Sequence, residues 1–236
     1  MTIPDRPPNL YVEGAADISV VSGLLLRHGL NTEKGKKFLC IKNTGNVKSV
    51  LEIIPEVIRA STSSPVGFII DIDIQAKDRW SAVKAKLKQA DIDAPDTCPA
   101  SGYLGNMPGY PYHFGIWLMP DCITDHGKIE HLVSTLIPDG EPLWPHAISC
   151  VQQAITIVDN ANRDSGATRQ WERFRDVDRI KSEIYTWLSW QICPDTPLGG
   201  AITRKILGHD SAMAMCFLKW LAALYGFEGL AGFSMP

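Results

Sequence analysis

Asp71 and Asp73 stand one residue apart at the end of an apolar run, in the stretch VGFIIDIDIQAKDRW that spans Val66–Trp80. If the run is a strand, its side chains alternate between two faces and both carboxylates lie on the same one. Two neighbouring anions repel, and withdrawing each from water costs several kcal/mol unless a positive partner compensates. A divalent cation is such a partner, and an all-oxygen donor set suits Mg²⁺ or Mn²⁺. Further acids occupy comparable places. Glu13 follows the apolar NLYV, Asp121 follows YHFGIWLMP, and Glu130 lies in the helical pattern after that. Open α/β sheets build their sites at the carboxyl ends of strands, so Glu13, Asp71, Asp73, Asp121 and Glu130 are expected to converge at one edge. Each also has a plainer use. Asp73 would cap a helix starting near Lys77, Asp121 after Pro120 suits a turn, and Glu130 suits an exposed helix face. Asp17 reads as a first-turn charge complementing the helix dipole.

The elements that must position these acids alternate in type. NLYVEG, KKFLCIKNTG, SSPVGFIIDID and YHFGIWLMP read as four strands. ADISVVSGLLLRHG, NVKSVLEIIPEVIRA, KDRWSAVKAKLKQA and GKIEHLVSTLI read as the helices between and after them. Asn46 is a natural N-cap, and Pro55 predicts a kink or break in the second helix. Alternation of this kind implies parallel strands joined by crossover helices. The stretch Asp91 to Tyr112, rich in Gly, Pro, Asp and Tyr, reads as a long excursion loop. After about residue 140 the pattern changes to helices alone: LWPHAISCVQQAITIVDNANR, RDVDRIKSEIYTWLSWQI and SAMAMCFLKWLAALYG. The expectation is an α/β class chain with a mostly parallel sheet flanked by helices over residues 1–140, and a helical C-terminal region over residues 141–236.

Composition narrows the class. Of 236 residues, 45% are hydrophobic and 21% charged, which is ordinary for a globular chain with a sizeable core. The formal net charge of −3 advertises no global attraction to nucleic acid, though a local patch or a metal can supply positive charge. No signal peptide and no membrane-length apolar run are read, so a cytoplasmic protein without a membrane partner is expected. The cysteines Cys40, Cys98, Cys122, Cys150, Cys193 and Cys216 form no CxxC pair and suggest reduced thiols.

Other motifs carry less. His126 and His131 in HGKIEH are five apart, which is neither HExxH nor a shared helix face. GGAITRK lacks the Walker spacing and reads as a solvated loop. Trp187, Trp190 and Trp220 read as helical core. Arg163, Arg169, Arg173 and Arg175 cluster in RDSGATRQWERFR, the best local candidate for contacting phosphates, with a solvated loop and helix start as the alternative.

YVEGAAD followed by IIDIDIQAKDRW resembles the TOPRIM domain of topoisomerases, primases and OLD-type nucleases: a glutamate and glycine after the first strand, then DxD at the end of a later one. Most of the chain is similar to the DUF3226 family of TOPRIM-like bacterial proteins, through VEGAAD, IDID…RW, GIWLMPD…GKIEHL and KSEIYTWLSWQICPDTPLG…FLKWLAALYG. The resemblance implies Mg²⁺- or Mn²⁺-dependent phosphoryl transfer on DNA or RNA. It implies Asp71, Asp73 and Asp121 as metal ligands, Glu13 as ligand or general acid–base, and Glu130 as the acid supporting a second ion. Lys181 is then the candidate cation for charge developing on the phosphate. OLD-type nucleases work with an ABC-type ATPase. This sequence has no Walker motif, so the resemblance implies a separate ATPase and a role in antiviral defence. The alternative is a non-catalytic TOPRIM-like subunit that binds such a partner. Primase or topoisomerase activity finds no zinc ribbon and no recognisable active-site tyrosine.

Overall fold

The computed structural model describes residues 7–30, 39–73, 75–106, 113–163, 170–227. Five strands form one sheet: β1 (Asn9–Val12), β2 (Cys40–Asn43), β3 (Val66–Asp71), β4 (Tyr103–Asn106) and β5 (His113–Met119), in the order β2-β1-β3-β5-β4. The first four in that order are parallel and β4 joins the edge antiparallel to β5. A mixed α/β chain with a mostly parallel sheet is therefore what the alternating pattern produced.

The central strand β3 is buried from Val66 to Ile70, as expected of a strand covered on both faces. Its register with β5 pairs Asp71 with Met119, so the two strands end level. The helices of the first part are α1 (Ala15–Arg27), α2 (Val47–Ala60), α3 (Ala76–Gln89) and α4 (Ile129–Ser134). α2 starts at Asn46, whose Oδ1 accepts the Ser49 N–H at 2.9 Å. Its Val50, Ile54 and Ile58 recur at helical spacing and are buried. The helix continues through Pro55 to Ala60. α3 buries Trp80, Val83 and Leu87, and the Trp80 indole donates to the carbonyl of Pro95 at 2.9 Å.

Two features depart from the sequence reading. The stretch Asp91 to Tyr112 contains β4, with only four residues and the side chains of Tyr103, Leu104 and Asn106 incompletely buried. So short a strand, holding Gly105 and with little apolar alternation, gives almost no period to read.

The second departure concerns the C-terminal part. Its helices are α5 (Leu143–Arg163), α6 (Arg179–Leu188), α7 (Leu198–Thr203) and α8 (Ala212–Tyr225). The packing separates Ile137–Thr196 as one unit and groups Met1–Leu136 with Pro197–Pro236 as the other. The division therefore does not fall at residue 140 alone, because α7 and α8 return to the sheet-bearing unit. Backbone approach explains the return of α7: a Cβ on Gly199 would sit 1.8 Å from the carbonyl oxygen of Ser19 in α1. GGAITRK, read as a solvated loop, thus supplies part of a helix packed on α1. α8 closes over β5 and β3, where Gly115 and Gly67 leave room for Trp220 and Leu224, and the Tyr225 hydroxyl donates to the carbonyl of Asn9 at 2.8 Å. α8 begins at Ser211, whose hydroxyl accepts from Ala214 N–H, and ends at Gly226 in the left-handed region.

Within the unit Ile137–Thr196, α5 packs against α6. Glu141 Oε2 accepts both the Trp187 indole N–H at 2.6 Å and the backbone N–H of Trp144 at 2.7 Å. Trp187 is buried, as is Trp220 of the other unit, but Trp190 is 39% exposed and lies beside the His146 ring instead of in a core. No helix among the described residues is long and apolar enough to cross a membrane.

Candidate functional site

β1 has β2 on one side and β3 on the other, so successive crossovers leave it in opposite directions. The crevice between the carboxyl ends of β1 and β3 is where such sheets hold ligands. Glu13 is the first residue beyond β1, and Asp71 is the last residue of β3. The two are joined directly: the Asp71 N–H donates to Glu13 Oε1 at 2.8 Å.

The surroundings are acidic. Asp17, in the first turn of α1, is 5% exposed and its Oδ2 accepts the Gly14 N–H at 2.9 Å, folding the carboxylate back over the helix start. Glu130 on α4 is also buried, at 4% exposed. Burial first, then the charges of Asp17, Glu13, Glu130 and Asp73, push the Asp71 carboxyl well above the ordinary carboxylate range. Glu13 is pushed up to about 7. Burial is the main cause; the hydrogen bond from Asp71 opposes it, and Asp73 and Asp17 add to it. Oδ1 of Asp71 is shut from water and has no hydrogen-bond partner. An orphaned carboxyl oxygen inside a ring of acids is the local feature most in need of a cation.

Asp73 stands differently. Its backbone lies at φ 62°, a left-handed conformation that Asp tolerates better than most side chains at a cost of about 1–2 kcal/mol. The Asp73 N–H donates to the carbonyl of Gly127 at 2.9 Å, which fixes the bend. Gly127 itself sits at φ 150°, and a Cβ there would lie 2.6 Å from Pro120 Cδ, so the approach requires glycine. The bend delivers the carboxylate to two cations. Arg79 of α3 donates from Nη2 to Oδ2 at 2.7 Å, and Lys128 Nζ lies 3.4 Å from Oδ1.

The remaining residues singled out by sequence fall in several places. Asp121 turns onto its own loop: Oδ1 accepts the N–H groups of Ile123 and Thr124, and Oδ2 accepts the Thr124 hydroxyl. His131 accepts the Lys128 N–H at Nδ1 and faces His126 edge-on, and burial and then His126 hold its pKa below the usual histidine value. Lys181 is exposed on α6, in the unit Ile137–Thr196. Of the arginine cluster, Arg169 lies outside the described residues. Arg173 pairs with Asp159 and Asp176, Arg175 with Asp178, and Arg163 donates to Asn160. Acids and amides within the same unit thus meet the three described arginines.

Asp17, Arg79 and Lys128 are the site's neighbours that the sequence reading missed. Asp17 had a signal, four residues after Glu13 and one helical turn in, but first-turn acids are common enough to hide it. Arg79 and Lys128 carried none, because the contacts that bring them to Asp73 come from the turn geometry.

Among the described residues no group of three or more His, Cys, Asp or Glu side chains is arranged to hold a metal ion as it stands. The donor chemistry nevertheless fits a hard, oxygen-preferring cation, and the unpartnered Asp71 oxygen points to one. No curated protein and no solved structure matches the chain. A family model does, over residues 7–226, and the chain belongs to the family it describes, "Protein of unknown function (DUF3226)".

Proposed function

We propose that the protein is a divalent-metal-dependent nuclease that hydrolyses phosphodiesters of DNA or RNA, with the TOPRIM-like reading of its sheet as the framework. The observation that carries this is the buried, unpartnered Oδ1 of Asp71 beside Glu13, Asp17, Asp73 and Glu130. A purely structural role would favour apolar or paired groups there, since uncompensated buried carboxyls destabilise a fold. Glu13, Asp71 and Asp73 would hold the ion, with Glu130 in support and Asp121 on the next strand end. When bound, Mg²⁺ or Mn²⁺ supplies positive charge to polarise a phosphoryl oxygen and to lower the pKa of a water.

The chain's own residues divide the remaining work. Glu13 would either ligate the ion or, where it is not on the ion, take a proton from an attacking water as general base. Asp71 and Asp73 would hold the ion, whose positive charge would favour a phosphate at this strand end. Lys181 is retained as a proposed cation for the transition state, and Arg163, Arg169, Arg173 and Arg175 as a proposed backbone-contacting stretch. A separate ABC-type ATPase and a setting in antiviral defence extend the same reading. The alternative, a partner-binding subunit without catalysis, draws on the lack of a preassembled three-donor group among the described residues.

The test is cleavage of labelled single- and double-stranded DNA and RNA with Mg²⁺, Mn²⁺ or EDTA, alone and with a candidate ATPase. Cleavage that needs the ion and disappears in Glu13→Gln and Asp71→Asn supports the nuclease. Cleavage that persists in both variants removes this site from the chemistry. A folded, ion-binding protein without cleavage in any pairing favours the partner-binding subunit.

A further inference from the structure

Asp73 is held by two cations that come from different elements, Arg79 from α3 and Lys128 from the residue just before α4. Both are largely withdrawn from water, with side chains 16% exposed. Their arrangement is incomplete for an ion pair. A guanidinium best grips a carboxylate with two parallel N–H bonds. Arg79 is recorded on Asp73 through Nη2 alone, while its Nε–H is buried and has no partner. Leaving a buried donor unmet is unfavourable, so a device built only to neutralise Asp73 would turn the fork to use both nitrogens. The planar fork and the nearby ammonium are together suited to one tetrahedral oxyanion, the non-bridging oxygens of a phosphate.

We infer that Arg79 and Lys128 form a subsite for the non-bridging oxygens of a phosphodiester, masked by Asp73 until a divalent ion takes that carboxylate. This rests on the metal-site reading above and adds to it an order of events: Asp73 would turn to a bound ion before Arg79 and Lys128 meet the phosphate. The left-handed backbone at Asp73, two residues beyond the end of β3, turns its carboxylate to the two cations. The subsite also gives the acidic crevice a means of accepting an anionic substrate.

The experiment follows the Arg79 side-chain Nε–H by ¹⁵N–¹H NMR of the full chain, assigned by its loss in Arg79→Lys. Probes are Mg²⁺, inorganic phosphate and a dinucleoside monophosphate. In the wild type, either phosphate probe alone should leave the Arg79 resonance in place, and addition together with Mg²⁺ should shift it. In Asp73→Asn the mask is neutral, and the dinucleoside monophosphate should shift the resonance without Mg²⁺. Lys128→Gln, tested with the ion present, should weaken diester binding about tenfold or more while Mg²⁺ binding is kept. A diester that fails to move Arg79 in Asp73→Asn overturns the subsite, as does a shift with inorganic phosphate only. Wild-type protein that does not bind Mg²⁺ overturns the metal reading and the ion-first order. The Asp73→Asn measurement still decides whether the anion subsite exists, so the two failures are separable.

Discussion

Oε1 of Glu13 accepts the backbone N–H of Asp71 at 2.8 Å, and this one bond ties the loop after β1 to the last residue of β3. A residue proposed to hold a cation is therefore also part of the hydrogen-bonded framework. The observed role and the proposed one can be separated, because accepting the hydrogen bond needs an oxygen and holding an ion would need a charge.

Glu13→Gln should keep the acceptor and lose the charge. Its ion-free stability should equal or exceed that of the wild type, since Asp71 then has one anion fewer beside it. Glu13→Ala removes the acceptor and leaves the Asp71 N–H unmet, at a cost of about 1–3 kcal/mol. Urea unfolding of the three proteins without metal checks the order, and Gln falling as far as Ala would show that the charge, not the oxygen, supports the fold.

Ion-free stability should fall as pH rises from about 4.5 to 7. Glu13 titrates near 7 in the folded protein against 4.5 in its absence, so in that window the folded state binds more protons than the unfolded one. Stabilisation is fully present below pH 4.5 and lost by the time pH passes 7. Asp71, raised for the same main reason, adds in the same direction. The Glu13 shift alone corresponds to roughly 3 kcal/mol. Saturating Mg²⁺ should oppose the trend, because the ion competes with protons for the same oxygens. Melts at pH 5 and 8, with EDTA or Mg²⁺, measure both halves.

The sequence carried the sheet and one half of the site for a clear reason. β3 ends at an acid and β1 just before one, and a strand's last residue is marked by the point where the apolar run stops, so Glu13 and Asp71 could be assigned to one edge. Asp73 was legible as an acid but not as a bend, because its left-handed backbone is set by the bond to Gly127 more than fifty residues away. Arg79 and Lys128 reach it only through that bend. β4 was hidden in a segment too short to show alternation. The return of α7 and α8 was hidden for another reason: helical periodicity says which face is apolar but not which neighbour covers it.

Gly199 offers a test of that return. A Cβ there meets Ser19 O at 1.8 Å and Ser19 Oγ at 2.6 Å, both in α1, with backbone on the receiving side that cannot swing away. Gly199→Ala should cost at the upper end of the 1–3 kcal/mol of an overpacked contact, or beyond it. Gly29→Ala is the control. That position has φ +81° and nothing within 4 Å of the added carbon, so it pays backbone strain alone, about 1 kcal/mol. Equal losses in the two variants would mean that α7 does not need its close seat on α1.

Metal should act on stability through the folded state. An ion that binds only the native protein stabilises it by about 2.7 kcal/mol at a hundred times its dissociation constant. The melting temperature with Mn²⁺ or Mg²⁺ should therefore climb with concentration in the wild type. Asp71→Asn keeps the shape of the side chain and removes the charge at the proposed donor whose Oδ1 is shut from water and unpartnered, so it should abolish most of that climb. Without metal the same variant should melt at or above the wild-type temperature, since repulsion from Glu13, Asp17, Asp73 and Glu130 is relieved. Asp17→Asn is the sharper comparison. Asp17 adds its charge to the cluster, but its Oδ2 is turned to the Gly14 N–H. An asparagine can keep that bond, so the ion-free protein should gain stability while retaining a response to Mn²⁺ that Asp71→Asn lacks. If all three proteins respond alike to the ion, the binding lies elsewhere on the molecule and the crevice between β1 and β3 is not the metal site.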